Sequence, residues 1–308
     1  MSRPLRLSIC AFAETGPGPK DRPNMERLDR AMMMARRAKD EGAQLAVFPE
    51  DFLLVDSPDR FLVAEPLDGP VFSKIAATAR ELDMFLVVNH PALFDRKKYN
   101  TTVVFNHHGA IEGYYQKAYP TIDELEKGCQ PGHGPVVLDT VLGRIGLITC
   151  FDLNFESLRR GYAALDPDLT LFCSFYRGGL QTQIWAFETR SYLVCSTANP
   201  GSRIVNPVGR VLKFTDIFNR QLTHTLELDY EVLHLDRNMV LFDALRQKYG
   251  NEIDIDWVEA EGMMLLSATG ATPLKQIMAD MHFQTAADYF DETIKAIAHT
   301  RRPEPTMV

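Results

Sequence analysis

Gly146-Leu147-Ile148-Thr149-Cys150-Phe151-Asp152-Leu153-Asn154-Phe155 opens as a short apolar run with β-branched residues and then turns polar. Its first half reads as a buried strand. Residues 155–160 take on helical spacing, so Cys150 stands at a strand-to-helix elbow. Such an elbow lifts a side chain at a tight turn beside backbone N–H groups that lack partners. Those donors are expected to favour the thiolate, the nucleophilic form of cysteine. A free cysteine is otherwise most often a small core residue, so the flanking chain has to decide between the two.

Working outward, strands alternate with helices on both sides of the elbow. Residues 5–11 read as a strand and Gly16-Pro17-Gly18-Pro19 as a loop. Asn24 reads as the N-cap of a helix whose Leu28, Ala31, Met32 and Ala35 share one face. Residues 44–48 form a second buried strand that ends in Pro49-Glu50-Asp51. In parallel α/β sheets, sites are built past the carboxyl ends of strands. A helix over 71–82 and a strand over 84–88 follow, then a hairpin around Asn106-His107-His108-Gly109, with Lys117 just past its second strand. Residues 120–135 read as a loop. Later strands fit 136–138, 144–149, 169–172, 192–197 and 222–228, a helix fits 180–190, and a hairpin turns at Asn206-Pro207-Val208-Gly209. The mixture of crossovers and hairpins predicts an α/β fold with a mixed sheet. Without linker or repeat, residues 1–308 read as a single domain. The extension 238–308 reads as mainly helical, with Leu274, Ile277, Met278 and Met281 on one face and Ala287, Phe290, Ile294 and Ile297 on another. Those faces are expected to cover a neighbouring subunit or the mouth of the active site.

Composition excludes several function classes. A chain of 308 residues with 45% hydrophobic content can bury a large core. A net charge of −8 without a Lys/Arg cluster argues against a nucleic-acid partner. No apolar run reaches membrane-spanning length, and the N-terminus lacks the pattern of a signal peptide. Five cysteines without paired spacing suggest reduced thiols in a cytoplasmic protein. His107-His108, Cys129 and His133 match no zinc spacing, so no metal is expected. Gly109-Ala110-Ile111-Glu112-Gly113 lacks the strand, helix and Gly-Lys-Ser/Thr of a phosphate loop.

Glu50, Lys117 and Cys150 remain, each at the end of an apolar strand. A carboxylate can take the thiol proton, a thiolate can attack an electrophilic carbon, and an ammonium can stabilise the resulting oxyanion. A Glu50 with a raised pKa could shuttle the proton near neutrality. The segments Val47-Phe48-Pro49-Glu50, Tyr115-Gln116-Lys117 and Ile148-Thr149-Cys150-Phe151-Asp152 resemble the Glu–Lys–Cys triad of the nitrilase superfamily of carbon–nitrogen hydrolases. Phe187-Glu188-Thr189-Arg190, Ser196-Thr197-Ala198-Asn199 and Asn206-Pro207-Val208-Gly209 extend the resemblance, which covers roughly residues 5–237.

The resemblance implies a four-layer αββα sandwich, a homodimer or higher homo-oligomer, and no metal or organic cofactor. It implies Cys150 as nucleophile, Glu50 as general base and acid, and Lys117 with the Phe151 N–H stabilising the tetrahedral intermediate. A second glutamate is expected in the following loop; Glu126 is preferred by its distance to Pro131-Gly132, with Glu124 the alternative. Asp152 is expected to bond the elbow's backbone. Phe151, Asn154, Tyr176 and Arg177 are expected to contact substrate. The expected reaction is hydrolysis of a linear carboxamide or N-carbamoyl compound with release of ammonia. A nitrilase, and a catalytically silent binding protein, are the alternatives.

Overall fold

In the computed structural model, residues 2–12, 23–54 and 59–300 are described. They fall into two compact units, within Leu5–Leu226 and within Met1–Pro4 plus Glu227–Val308. The Gly/Pro-rich loop expected at residues 16–19 lies outside the described residues.

The larger unit is built on two six-stranded sheets. The first contains β1 (Pro4–Cys10), β2 (Leu45–Val47), β3 (Phe85–Phe94), β4 (Lys97–Phe105), β5 (Ile111–Gln116) and β12 (Gln221–Glu227), in the order β12-β1-β2-β3-β4-β5. β1, β2 and β3 run parallel, and β3, β4 and β5 antiparallel. The second contains β6 (Val137–Thr140), β7 (Gly143–Thr149), β8 (Leu169–Ser174), β9 (Tyr192–Thr197), β10 (Arg203–Val205) and β11 (Val211–Phe214), in the order β11-β10-β9-β8-β7-β6. Its β7, β8 and β9 run parallel and its margins antiparallel. Both sheets are therefore mixed, as the alternation of crossovers and hairpins predicts.

Helices α1 (Met25–Asp40) and α2 (Pro70–Leu82) cover the first sheet. Leu28, Ala31, Met32 and Ala35 of α1 and Val71, Phe72 and Ile75 of α2 share a core with Ala46, Leu86 and Val88. Asn24 caps α1 as read from the sequence, its side chain accepting from the Arg27 N–H at 3.1 Å. Helices α4 (Glu156–Leu165) and α5 (Leu180–Thr189) cover the second sheet, packing Leu158, Tyr162, Trp185 and Ala186 on Ile148, Phe172 and Leu193. The inner faces of the sheets meet through polar bonds: Ser196 Oγ donates to Val47 O at 3.1 Å, and the Thr102 and Thr149 hydroxyls bond at 3.0 Å. The result is a four-layer αββα sandwich. Each fully buried large apolar side chain in its outer cores contributes roughly 1.5–3 kcal/mol.

The smaller unit adds strands to the helices expected of the extension. It holds a three-stranded antiparallel sheet of β13 (Tyr230–His234), β15 (Met263–Ala268) and β14 (Ile253–Val258). The signal was present: Ile253-Asp254-Ile255-Asp256-Trp257-Val258 alternates with period two, and Met263-Met264-Leu265-Leu266 is a short apolar run bounded by turns. After the short α6 (Leu235–Asn238), helices α7 (Phe242–Tyr249) and α8 (Leu274–Met281) pack Phe242, Leu245, Leu274, Ile277 and Met281 on this sheet. In α9 (Ala286–Thr300), Ile294 and Ile297 remain exposed. No helix among the described residues is long and apolar enough to cross a membrane.

Candidate active site

Three strands of the larger unit deliver the residues picked out by position. β2 ends at Val47, and Phe48-Pro49 carries the chain to Glu50. The next residue, Asp51, is left-handed with φ 54°. β5 ends at Gln116, leaving Lys117 at its tip. Behind Lys117 the Pro131-Gly132 turn packs tightly: the Gly132 N–H donates to Lys117 O at 2.8 Å. A Cβ on Gly132 would lie 2.1 Å from Gln116 O, so only glycine fits there.

β7 ends at Thr149, and Cys150 begins a 3₁₀ turn over Cys150–Asn154 with its own φ at 49°. A left-handed cysteine costs about 1–2 kcal/mol, which the surroundings must offset. Asp152 supplies much of that support, as expected. It is fully buried and accepts from the Thr149 N–H (3.0 Å), the Tyr119 N–H (2.8 Å) and the Tyr115 hydroxyl (2.8 Å).

Glu50 and Lys117 come together with a third residue. Lys117 Nζ donates to Glu50 Oε1 at 3.0 Å and to Glu124 Oε2 at 2.8 Å, and all three side chains are 1% exposed. Of the two candidates for a second glutamate, the structure brings Glu124 to Lys117, whereas the preferred Glu126 is exposed and lies outside the cluster. The cause is the short helix α3 (Ile122–Glu126), which replaces part of the loop expected over 120–135. Thr121 caps it and Glu124 closes a capping box, folding its carboxylate back onto the Thr121 N–H at 2.6 Å. The Ser/Thr-x-x-Glu signature, Thr121-Ile122-Asp123-Glu124, was in the sequence and would have found it.

Glu124 is saturated. Its Oε2 accepts from Lys117 and Thr121, and its Oε1 accepts from Asn100 Nδ2 (2.7 Å) and the Arg60 guanidinium. A carboxylate has about four acceptor sites, so none is left to hold a substrate N–H. Glu50 is equally enclosed: Asn100 Nδ2 (2.8 Å) and Lys117 on Oε1, the Phe175 N–H (3.1 Å) on Oε2, and the Cys150 thiol. Arg60, Asn100 and Phe175 were missed from the sequence, because each sits in a stretch without a motif.

Protonation states differ from expectation. Burial opposes charge on Glu50, but Lys117, Arg60 and the thiol hydrogen bond outweigh it and hold its pKa down to about 2. Burial, then the Glu50 charge, pushes the Cys150 thiol up to about 12, against the pull of Lys117. Lys117 is held above its ordinary value because Glu50, Cys150 and Glu124 overcome its burial. The resting site is therefore thiol, carboxylate and ammonium. Neither the expected thiolate nor the expected neutral-range glutamate is present at rest, since a thiolate beside ionised Glu50 would set two buried like charges together.

Glu50, Lys117 and Cys150 open on a cavity of about 290 Å³, also lined by Asp51, Leu54, Arg60, Thr121, Asp123, Lys127 and Phe175. None of the four expected substrate contacts lines it. Phe151 packs edge-on against Phe155, Arg177 is exposed, and Asn154 Nδ2 turns to Phe151 O (2.9 Å) and the Tyr176 hydroxyl (3.5 Å). Phe175, one residue before Tyr176, takes the place foreseen for it. Cys10, Cys129, Cys173 and Cys195 are buried, all five thiols are free, and Cys150 alone among them is partly exposed.

The chain as a whole is similar to known proteins. The sequence profile described as carbon–nitrogen hydrolase matches residues 16–234. A chloroplastic omega-amidase of Arabidopsis thaliana is 25% identical over 275 residues, spanning 79% of this chain and 72% of the relative. The deaminated glutathione amidase of Homo sapiens is 26% identical over 258 residues, spanning 71% and 77% respectively. Among solved structures, Saccharomyces cerevisiae Nit3, a member of branch 10 of the nitrilase superfamily, superposes with a TM-score of 0.65 at 20% identity, covering 80% of this chain and 94% of that one.

Proposed function

The chain belongs to the carbon–nitrogen hydrolase family of the nitrilase superfamily, and on that footing we propose that it is a cysteine-dependent amidase acting on a linear carboxamide or N-carbamoyl compound. The observation that carries the reading is the contact between the Cys150 thiol and ionised, buried Glu50, with Lys117 alongside. Amidase relatives at 25–26% identity support the amide as the substrate class.

As Cys150 Sγ bonds to the amide carbon, Glu50 takes the thiol proton, so thiolate exists only as it reacts. The carbonyl oxygen gains the negative charge, which the Lys117 ammonium stabilises. Protonated Glu50 then gives its proton to the leaving nitrogen; the C–N bond breaks and ammonia departs, leaving a thioester on Cys150. Water attacks that thioester while Glu50 takes its proton, the C–S bond breaks, and the thiol is restored. Glu124 takes no part in bond making. It holds Lys117 in line.

The test is ammonia release from primary amides, N-carbamoyl amino acids and nitriles, with Cys150→Ala as control. We expect turnover of an amide or carbamoyl compound, and its loss by more than about a hundredfold in the folded variant. Faster turnover of nitriles than of every amide and carbamoyl compound, or a Cys150→Ala protein above that level, overturns the reading.

A further inference from the structure

Asn100 touches Glu50, Glu124 and Lys117, the three charges at the centre of the site. Its side chain, on β4 and 2% exposed, donates both amide hydrogens, one to Glu50 Oε1 at 2.8 Å and one to Glu124 Oε1 at 2.7 Å. Its backbone carbonyl accepts the Lys117 N–H at 2.9 Å. Two carboxylates that share one ammonium repel each other, and an amide between them supplies two donors without adding charge.

The direction of that amide is written by its neighbour. Asn89 on β3, 1% exposed, donates from Nδ2 to Asn100 Oδ1 at 2.7 Å and to Thr102 Oγ1 at 3.1 Å. Its Oδ1 accepts the Asp51 N–H at 3.3 Å. A backbone N–H can only donate, so Asn89 must turn its oxygen to Asp51 and its nitrogen to Asn100. Asn100 must then turn its oxygen to Asn89 and its nitrogen to the two glutamates. The same ladder reaches the second sheet, because the Thr102 hydroxyl bonds that of Thr149, the residue before Cys150, at 3.0 Å.

We propose that Asn100 is a positioning residue of the reaction, holding Glu50 and Glu124 apart around Lys117, and that Asn89 fixes the direction of its amide. The proposal rests on the reading of Glu50 as the base. The charged and titratable groups facing Glu50 are Lys117 at the tip of β5, Glu124 of α3, Arg60 of the 3₁₀ turn Arg60–Val63, Cys150, Cys173 of β8 and Tyr176, with Asp51 next in the chain. Donors to a carboxylate favour its ionised form, so removing Asn100's two hydrogens raises the pKa of the base. With Glu50 held low and the Cys150 thiol pushed up, the two together hold one proton at neutral pH, the active form. Wild-type kcat/KM therefore has its acid limb well below neutral pH. A raised Glu50 pKa moves that limb up: as pH falls the base is protonated, and activity is lost at a higher pH than in the wild type.

The experiment is kcat and KM against pH, by ammonia release from a primary amide, for wild type, Asn100→Leu and Asn89→Leu, with thermal unfolding to confirm the fold. We expect Asn100→Leu to lose about a hundredfold in kcat with KM within about threefold, and its acid limb to move up by about one unit or more. Asn89→Leu keeps Asn100 but frees its orientation, and should show the same limb with a smaller loss. A folded Asn100→Leu with the wild-type profile overturns the proposal. Should Asn100→Leu not fold, Asn89→Leu decides, and its wild-type profile would be equally contrary. If Cys150→Ala and Glu50→Gln are inactive while the asparagine variants match wild type, only this inference fails; if Glu50→Gln is active, the base assignment fails first.

Discussion

The Glu50 elbow and the Cys150 elbow lie at strand ends of different sheets, and they are made by opposite means. Each contains a left-handed residue, Asp51 at φ 54° and Cys150 at φ 49°. At the first, the left-handed residue is a neighbour, and the functional carboxylate is enclosed by donors and 1% exposed. At the second, the strain falls on the residue that carries the sulfur, which is partly exposed and held up by the buried Asp152. The first elbow is an arrangement of charges and the second an arrangement of backbone. Removing a side chain should therefore disturb the fold at one and hardly at the other.

Lys117→Met gives the largest expected effect. It leaves Glu50 and Glu124 buried against each other without their shared cation, a loss of about 3–5 kcal/mol. That corresponds to a fall in Tm of roughly 10 °C for a unit of this size, together with loss of turnover. Cys150→Ala should also silence turnover but leave Tm within about 2 °C. Thermal unfolding of the two variants at neutral pH checks the contrast, and equal Tm values would break it.

The two neighbouring glutamates sharpen the same comparison at smaller cost. Glu124→Gln keeps the shape but turns an N–H₂ group toward donors, so kcat/KM should fall at least roughly tenfold, about 1.4 kcal/mol of transition-state stabilisation. Glu126→Gln, on the exposed side of α3, should stay within about twofold. Steady-state kinetics of the pair on one amide settle the order, and a larger effect at Glu126 would contradict the geometry.

These residues also show what the sequence made legible. Strand ends, hairpins and the Asn24 cap follow from local periodicity and turn chemistry, so Glu50, Lys117 and Cys150 could be picked by position alone. Glu124 and Glu126 are told apart by the capping signature of Thr121, which folds Glu124 inward, and not by distance to Pro131-Gly132. Asn89, Asn100 and Thr102 read as an ordinary polar interruption, since one chain segment does not reveal that two sheets will face each other across them. The state of the thiol depends on burial and on a carboxylate one hundred positions away (Glu50 to Cys150) in the chain, so local sequence pointed to the wrong form. The sheet of the smaller unit is hidden for a different reason: its β14 and β15 lie between the helices α7 and α8, whose periodicity dominates the region.

The account stands on one covalent step, acyl transfer from an amide to Cys150. Acid-quenching the enzyme during turnover of a primary amide, then mapping peptides by mass, observes it directly. The prediction is one acyl group per chain, carried by the peptide containing Cys150, sensitive to hydroxylamine, and appearing with an equal amount of ammonia. Sustained ammonia release with that peptide unmodified, and no hydroxamate formed when hydroxylamine is present, would contradict it.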